Sequence, residues 1–490
     1  MKTSLKRARK YEAENNNSYL KDRPAFHFTP YIGWMNDPNG FSFYKGQFHL
    51  FYQYYPYGLG WNSMHWGHAV SKDLLHWEYL PAALAPENKY DSFGVFSGSS
   101  IELPDGQQLL MYTGVTKKND KDTQLQCVAT GDGINYKKFA GNPVIGKDLF
   151  PEGFNSQHFR DPKIWRAADG SYYCISVSCK NDGNGAILLF HSPDAFSWSY
   201  EGVLLENKGN IGKMWECPDY FELDGKDIIL ISPQNMLPQQ DKYMAGSRTA
   251  YFCGKFDLEQ KKFIPDFDAP VDSGIDFYAS QTVKAPDGRT ILIGWMQNWD
   301  TCNLTDRGNR NWFGQMSTPR ELSLKDGKLI QKPVKEIESY RTASTTLNDV
   351  TVDGDFLPEN LTGRIIDMEL TIRPKENKSL NSFTINLAQS EEYKITLEYK
   401  ADSHTLVFDR SRTEMRNALC SQSICRVSDS QELKLRILLD TYSAEVFVND
   451  GQQVMTNTFY INPSANKISF HSDGSALLNL TKYDLQGDLK

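Results

Sequence analysis

Asp-Gly pairs punctuate the first two-thirds of this chain, among them 105–106, 132–133, 169–170, 224–225, 287–288 and 326–327. Asp-Gly suits the two central positions of a tight hairpin turn, where the backbone needs positive φ. The runs around them are short and rich in β-branched and aromatic residues. Examples are Gln47–Tyr52, Gln108–Tyr112, Ser171–Ser176, Asp227–Ile231 and Thr290–Trp295. From 23 to 335 no long helical periodicity interrupts this pattern. Parallel α/β folds are therefore set aside, and the region is expected to be all-β.

An internal echo sharpens the expectation. Ser71-Lys72-Asp73-Leu74-Leu75-His76-Trp77 resembles Ser192-Pro193-Asp194-Ala195-Phe196-Ser197-Trp198, with Thr130-Gly131-Asp132-Gly133-Ile134-Asn135-Tyr136 between them. The spacing is close to sixty residues, enough for one four-stranded sheet. Repetition at that interval over 23–335 suggests about five sheets in a radial array. A pair of stacked β-sandwiches is the competing arrangement. Near 336–352 the texture turns Ser- and Thr-rich, which reads as a linker or a short helical passage. Alternation returns over 353–482, in Ile365–Ile372, Tyr393–Tyr399, Leu433–Leu439 and Ala444–Val448, and reads as a separate β-sandwich. Residues 1–22 read as a polar leader, loosely ordered or packed on the surface, and 483–490 as a polar tail.

Composition excludes several function classes. The net charge is −8 with no strong basic patch, which argues against a nucleic-acid partner. No stretch is long and apolar enough to cross a bilayer. The basic start, Lys2 to Lys10, is not followed by an apolar run, so no export signal is expected. The eight cysteines are scattered without a Cys-x-x-Cys pair. Reduced thiols in a cytoplasmic protein are the expectation. Met64-His65-Trp66-Gly67-His68 carries two histidines but no evident third metal ligand. No Gly-x-Ser-x-Gly elbow, Walker loop or dinucleotide-binding fingerprint occurs.

Three carboxylates stand apart from the average acidic residue. Asp37 lies in Trp34-Met35-Asn36-Asp37-Pro38-Asn39-Gly40, Asp161 in Phe159-Arg160-Asp161-Pro162 and Glu216 in Trp215-Glu216-Cys217-Pro218-Asp219. Each has aromatic company and a proline soon after, and each falls in a different expected sheet. Each taken singly also fits an acid that merely caps its own turn. In a radial array, distant segments can present one residue each to a common axis. Two carboxylates in an aromatic-walled pocket can divide into an ionised nucleophile and a general acid that holds its proton longer. Glycosidic bond cleavage needs that division. Arg160 is expected to keep Asp161 ionised. Gln53, Trp61, Phe96, Ser97 and Trp295 share similar aromatic surroundings, and the Cys217 thiol is expected to pack beneath the site and tune Glu216.

These motifs, with Phe96–Ser99, Asp276-Phe277-Tyr278-Ala279-Ser280-Gln281 and the later Leu438-Leu439-Asp440 and Glu445-Val446-Phe447-Val448-Asn449, resemble glycoside hydrolase family 32. This is the family of invertases, sucrose-6-phosphate hydrolases and fructan hydrolases. The resemblance runs from about Phe26 to Leu480. It implies a five-bladed β-propeller followed by a C-terminal β-sandwich, and a retaining β-fructofuranosidase. Asp37 would be the nucleophile, Glu216 the general acid and base, and Asp161 the transition-state stabiliser beside Arg160. Asn36, Gln53, Trp61, Phe96, Ser97, Asp276 and Trp295 would line the fructose pocket. The resemblance implies no metal or organic cofactor. Sucrose, sucrose 6-phosphate and short fructo-oligosaccharides are the expected substrates, with a homo-oligomer left open. His65, Lys213, Lys242 and Arg248 are candidates to meet a substrate phosphate. Tyr54-Tyr55 departs from the family's more usual Asn and is expected to touch the outer pocket. Another furanosidase of a related propeller family, or a noncatalytic carbohydrate-binding protein, are the alternatives.

Overall fold

The structure, a computed structural model, describes residues 4–15, 23–119, 121–240, 242–302, 310–414, 420–428 and 432–486. The remainder of the expected leader (1–3 and 16–22) and of the expected tail (487–490) lies outside the described residues.

Five antiparallel sheets follow one another along the chain as blades I to V, spanning 33–84, 94–138, 160–206, 215–270 and 278–333. Their first strands are Gly33–Tyr44, Gly94–Glu102, Arg160–Arg166, Trp215–Leu223 and Tyr278–Lys284. These touch one another in a closed cycle and form the inner ring of a five-bladed propeller. Each blade is built from contiguous sequence. The ring closes where Trp312–Phe313, a two-residue strand within blade V, pairs in parallel with Gly33 and Trp34 of blade I.

The turn chemistry explains the repeat. Of these six Asp-Gly pairs, four close the first hairpin of blades II to V and two close the third hairpin of blades II and V; a further pair, Asp182-Gly183, closes the second hairpin of blade III. The sixty-residue echo is the third hairpin of blades I, II and III. There the Oδ1 atoms of Asp73, Asp132 and Asp194 each accept two backbone N–H groups from the residues that follow. Ser71 and Ser192 accept one more from Leu74 and Ala195, the two positive-φ residues of their turns.

Two stretches differ from the sequence reading. Ser4–Glu14 is an α-helix packed against the outer edge of blade I, with Ala8 fully buried. Arg9 Nε donates to the carbonyl of Ala82, and Glu12 Oε2 accepts its N–H. The helix thus covers an otherwise open strand edge. The stretch 336–352, read as a linker or a short helical passage, holds the 3-10 turn Lys335–Tyr340 and most of the strand Arg341–Phe356. That strand pairs with Lys467–Leu485 along its length, inside the sandwich. Its residues are mostly exposed or half-buried, with only Val352 fully buried, so hydrophobic alternation barely marks it.

The sandwich has its own core, which includes Ile366, Phe383, Leu397, Phe408, Ile437, Val446 and Phe470. Its seam with the propeller is charged and buried. Arg320 of blade V is fully buried and donates to Asp272 and to Glu445 of the sandwich. His27 lies between Asp440, at 2.7 Å, and Glu445, at 2.9 Å. Removing one partner from a buried pair of this kind costs on the order of 3–5 kcal/mol.

Burial opposes the charge on His27, but its hydrogen bonds to Asp440 and Glu445 outweigh burial and raise its pKa to about 9. A free histidine titrates at about 6.5. The stabilisation is therefore complete below about 6.5 and is lost as pH rises through about 9. Calorimetry should find a thermal midpoint that falls between pH 7 and 9.5. The His27→Gln protein should start several degrees lower at pH 6 and fall less; an unchanged pH slope would deny His27 this part.

Candidate active site

A regular ladder along the inner strands would send neighbouring side chains to opposite faces. Near its start every inner strand breaks register with its neighbour, at Met35/Pro38, Phe96/Gly98, opposite Ile175/Val177, at Glu216/Asp219 and at Tyr278/Gln281. Asp161, Cys217 and Ala279 have positive φ at these irregularities. Such bulges re-aim side chains. Here they turn Asp37, Ser97, Asp161, Glu216 and Tyr278 towards one funnel at the end of the axis.

The bonds inside the funnel fix each group. Asp37 accepts from Asn36 Nδ2 at 3.0 Å on one oxygen, and from Ser97 Oγ at 2.7 Å and Cys217 Sγ at 3.4 Å on the other. Trp34 Nε1 holds Asn36 in place at 2.8 Å. Asp161 accepts from the Cys217 backbone N–H at 2.9 Å, while its own N–H donates to Thr113 Oγ1. Glu216 Oε1 accepts from Arg160 Nη2 at 2.8 Å and Nε at 3.2 Å. Glu216 Oε2 accepts from Gln234 Nε2 at 2.7 Å and from the Tyr278 hydroxyl at 2.6 Å.

The guanidinium is thus shared differently from the sequence reading. Its short bonds go to Glu216, and its approach to Asp161 is 3.7 Å. Burial raises the Asp161 carboxyl to about 7; Arg160 opposes this, and the charges of Glu216 and Asp37 add to it. Burial likewise raises Asp37, against its hydrogen bond from Ser97 and together with the charge of Glu216. The Cys217 thiol is pushed well above its ordinary range by burial and by Asp161 and Asp37. Its sulfur lies against Asp37 and Asp161, not Glu216, so its contacts are with the other two acids.

The other expected pocket residues divide. Phe96 and the exposed Trp61 form an aromatic wall, with ring centroids 5.8 Å apart. Gln53 is buried and donates to the Val95 carbonyl beside that wall. Trp295 is fully buried, packed near Trp34 and Trp299, and its Nε1 has no acceptor among the described residues. Asp276 is not in the funnel. It is fully buried at the seam, where Arg410 and the Thr458 N–H and hydroxyl donate to its Oδ2. Strand alternation also turns Tyr54 away from Gln53, into the core that Tyr11 of the N-terminal helix adjoins; Tyr55 packs beside the site.

Among the phosphate candidates, both His65 ring nitrogens are engaged, by Ser63 O and Ser4 Oγ. Lys242 pairs with Asp268, and the buried Arg248 donates to the carbonyls of Ala245 and Gly274. Lys213 is exposed, three residues before Glu216. The second histidine of the 64–68 run, His68, bonds His49 at 3.0 Å. Sequence reasoning gave no role to Tyr278 or Gln234. Tyr278 was reachable, since it opens the inner strand of blade V as Glu216 opens that of blade IV. No sequence signal singles out Gln234.

A carboxyl held near 7 when folded and near 3.9 when unfolded destabilises the native state once ionised. The cost is nil below about pH 4 and grows as pH rises to about 7. The Asp161→Asn protein should therefore melt a few degrees above the parent at pH 8, with the gain gone by pH 4. A variant melting at or below the parent at pH 8 would contradict this.

Comparison with known proteins gives one answer. The family model described as "Glycosyl hydrolases family 32 N-terminal domain" matches residues 27–333, and "Glycosyl hydrolases family 32 C terminal" matches 336–484. The chain is 35% identical over 480 residues to a sucrose-6-phosphate hydrolase of Escherichia coli, covering 96% of this chain and 95% of that one. It is 35% identical over 443 residues to the sucrose-6-phosphate hydrolase of Zymomonas mobilis, covering 88% and 84%. The solved structure of a Bombyx mori β-fructofuranosidase superposes with a TM-score of 0.83 at 33% identity, covering 99% and 98%. An Asp-to-Ala variant of that enzyme is known in complex with sucrose.

Proposed function

The chain belongs to glycosyl hydrolase family 32, and from that premise we propose that it is a β-fructofuranosidase using Asp37 and Glu216 as its catalytic pair. It releases terminal, non-reducing β-D-fructofuranosyl units from sucrose, sucrose 6-phosphate or short fructo-oligosaccharides, with retention. The observation that carries the assignment of roles is the meeting of Asp37 and Glu216, from blades I and IV, on either side of Asp161: Cys217 Sγ bonds both Asp37 and Asp161, and Arg160, which holds Glu216, approaches Asp161 at 3.7 Å.

The geometry suits a two-step displacement. Ser97, Asn36 and Cys217 fix the Asp37 carboxylate, so little reorganisation precedes its attack on the anomeric carbon. Glu216 gives a proton to the leaving glycosyl oxygen and later takes one from the incoming water. Asp161, buried in the funnel wall beside both, holds fructose hydroxyls and stabilises the oxocarbenium-like state. A retaining pair stands about 5–5.5 Å apart, and that separation is expected of Asp37 and Glu216. Trp61 and Phe96 form the apolar wall that a sugar face can stack on.

Among the described residues no cysteine forms a disulfide, which supports a cytoplasmic setting for the enzyme. Among the described residues no helix is long and apolar enough to cross a membrane.

Two substitutions test the roles. Asp37→Ala should lower kcat on sucrose by 10⁴-fold or more, on the order seen when an enzyme nucleophile is lost, with the thermal midpoint preserved; near-parental turnover in folded protein would exclude Asp37. Glu216→Gln should lower kcat/KM on sucrose far more than on an aryl β-fructofuranoside, whose leaving group needs little protonation. Equal losses on both substrates would remove Glu216 from the acid role.

A further inference from the structure

The Tyr278 hydroxyl has one proton and two acceptors. Glu216 Oε2 lies at 2.6 Å and the Ser232 carbonyl at 3.0 Å. The phenol is fully buried, and its strand is fixed on one side by the Ala279 N–H bond to Ser232 Oγ and on the other by pairing with Trp295. Ser232 is the register partner of Glu216 in blade IV. The two acceptors are therefore held together by one sheet, and the donor comes from the next.

The other groups on Glu216 are one-sided. Arg160 donates twice to Oε1 and Gln234 donates to Oε2. With the Tyr278 proton added, every bond favours the carboxylate. A guanidinium cannot accept a proton bond, and the Gln234 amide accepts one only by turning over. Yet the acid role given to Glu216 above requires the protonated form in alternate steps. The Tyr278 oxygen can accept when its own proton points elsewhere, and the Ser232 carbonyl is in place to receive that proton.

We propose that Tyr278 is a positioning residue whose single O–H turns between Glu216 and the Ser232 carbonyl in step with the two half-reactions. This rests on the acid and base roles assigned to Glu216. Before the first step Glu216 carries its proton, and the Tyr278 O–H points to Ser232. As Glu216 gives that proton to the leaving oxygen and becomes a carboxylate, the O–H swings to Oε2. When Glu216 takes a proton from the attacking water, the O–H returns to Ser232. Tyr278 keeps its proton throughout, in agreement with a phenol that burial and the Glu216 charge hold well above its ordinary range.

Other charges facing Glu216 set the background. They are Arg160, Asp161 and His158 from blade III, Asp37 from blade I and Cys217 on its own strand. Tyr278→Phe leaves all of them in place and removes one donor to the carboxylate. The alkaline limb of kcat/KM on sucrose should move up by about one pH unit. The carboxylate that takes the water proton loses the O–H that orients it, so on an aryl β-fructofuranoside kcat and KM should fall together by about tenfold and a burst should show accumulated fructosyl-enzyme. Site-specific 3-fluorotyrosine at 278, a stronger donor of nearly the same shape, should move the alkaline limb down.

Limbs that stay in place in both proteins, or a fall in kcat without a fall in KM, would overturn the proposal. Glu216→Ala with added azide separates the two layers. Azide rescue on the aryl substrate with an unmoved limb in Tyr278→Phe defeats only the swing of the tyrosine proton. Failure of azide rescue, with turnover of sucrose retained, defeats the reading of Glu216 and the proposal with it.

Discussion

Five strands that converge on one axis cannot pair with one another, so each carries an open edge of N–H and C=O groups towards the centre. Leaving such groups buried without partners costs free energy comparable to a lost hydrogen bond. In this protein side chains of neighbouring blades fill the need. Asn39 of blade I accepts the Gly98 N–H of blade II, and Ser99 of blade II bridges Pro162 and Ile164 of blade III. Asp219 of blade IV accepts the Thr282 N–H of blade V and pairs with Lys163 of blade III at 2.6 Å. Gln281 of blade V accepts from Phe41 and donates to Gly98. The axis is polar because the ring requires it. The bond from the Cys217 N–H to Asp161 is one more member of this set, so the funnel extends the same device by which the blades are joined.

That origin explains the electrostatic character of the site. Three carboxylates face one guanidinium in a place with little water, and the arginine is spent on Glu216. Asp37 and Asp161 are left with neutral donors, and both are raised above the ordinary aspartate range, chiefly by burial. A fold selected for stability alone would not keep two such acids there. The strain is tolerated because the inner strands are pinned elsewhere, by the cross-blade bonds below and by Asp276 and Arg410 at the seam.

The architecture was legible where local chemistry repeats. Asp-Gly hairpins and the Ser/Thr-x-Asp echo recur because each blade solves the same turn problem, and their spacing carries the blade count. Asp37, Asp161 and Glu216 were legible for a related reason, as acids set in aromatic surroundings at strand starts. What depends on non-local packing was not legible. Nothing near Asp276 in sequence announces Arg410, 134 residues away, so a motif residue was placed in the pocket when it braces the seam. Arg160 was assigned to its sequence neighbour, whereas its short bonds reach 56 residues further to Glu216. The strand Arg341–Phe356 hid because one face is solvent, and Ser and Thr satisfy a half-buried strand without apolar alternation. The helix Ser4–Glu14 hid because only Ala8 is fully buried, and charged residues do much of its docking.

The contiguity of the blades has a consequence for how the ring comes into being on the ribosome. Among the described residues, the two-residue strand Trp312–Phe313 is all that a blade takes from the far end of the propeller. The joint between blades V and I has one short parallel pair and a shared apolar cluster that includes Ile293, Leu50 and the sandwich residues Leu438 and Phe447. The approach to blade I is held by the sandwich too: Asp440 accepts the N–H groups of Ala25, Phe26 and His27, some 413 to 415 residues earlier. The buckle of the ring is therefore translated after all five of the segments it fastens. Until it emerges, a nascent propeller has its own short pair between blades V and I but lacks the bonds that tie down the approach to blade I, which the sandwich adds last.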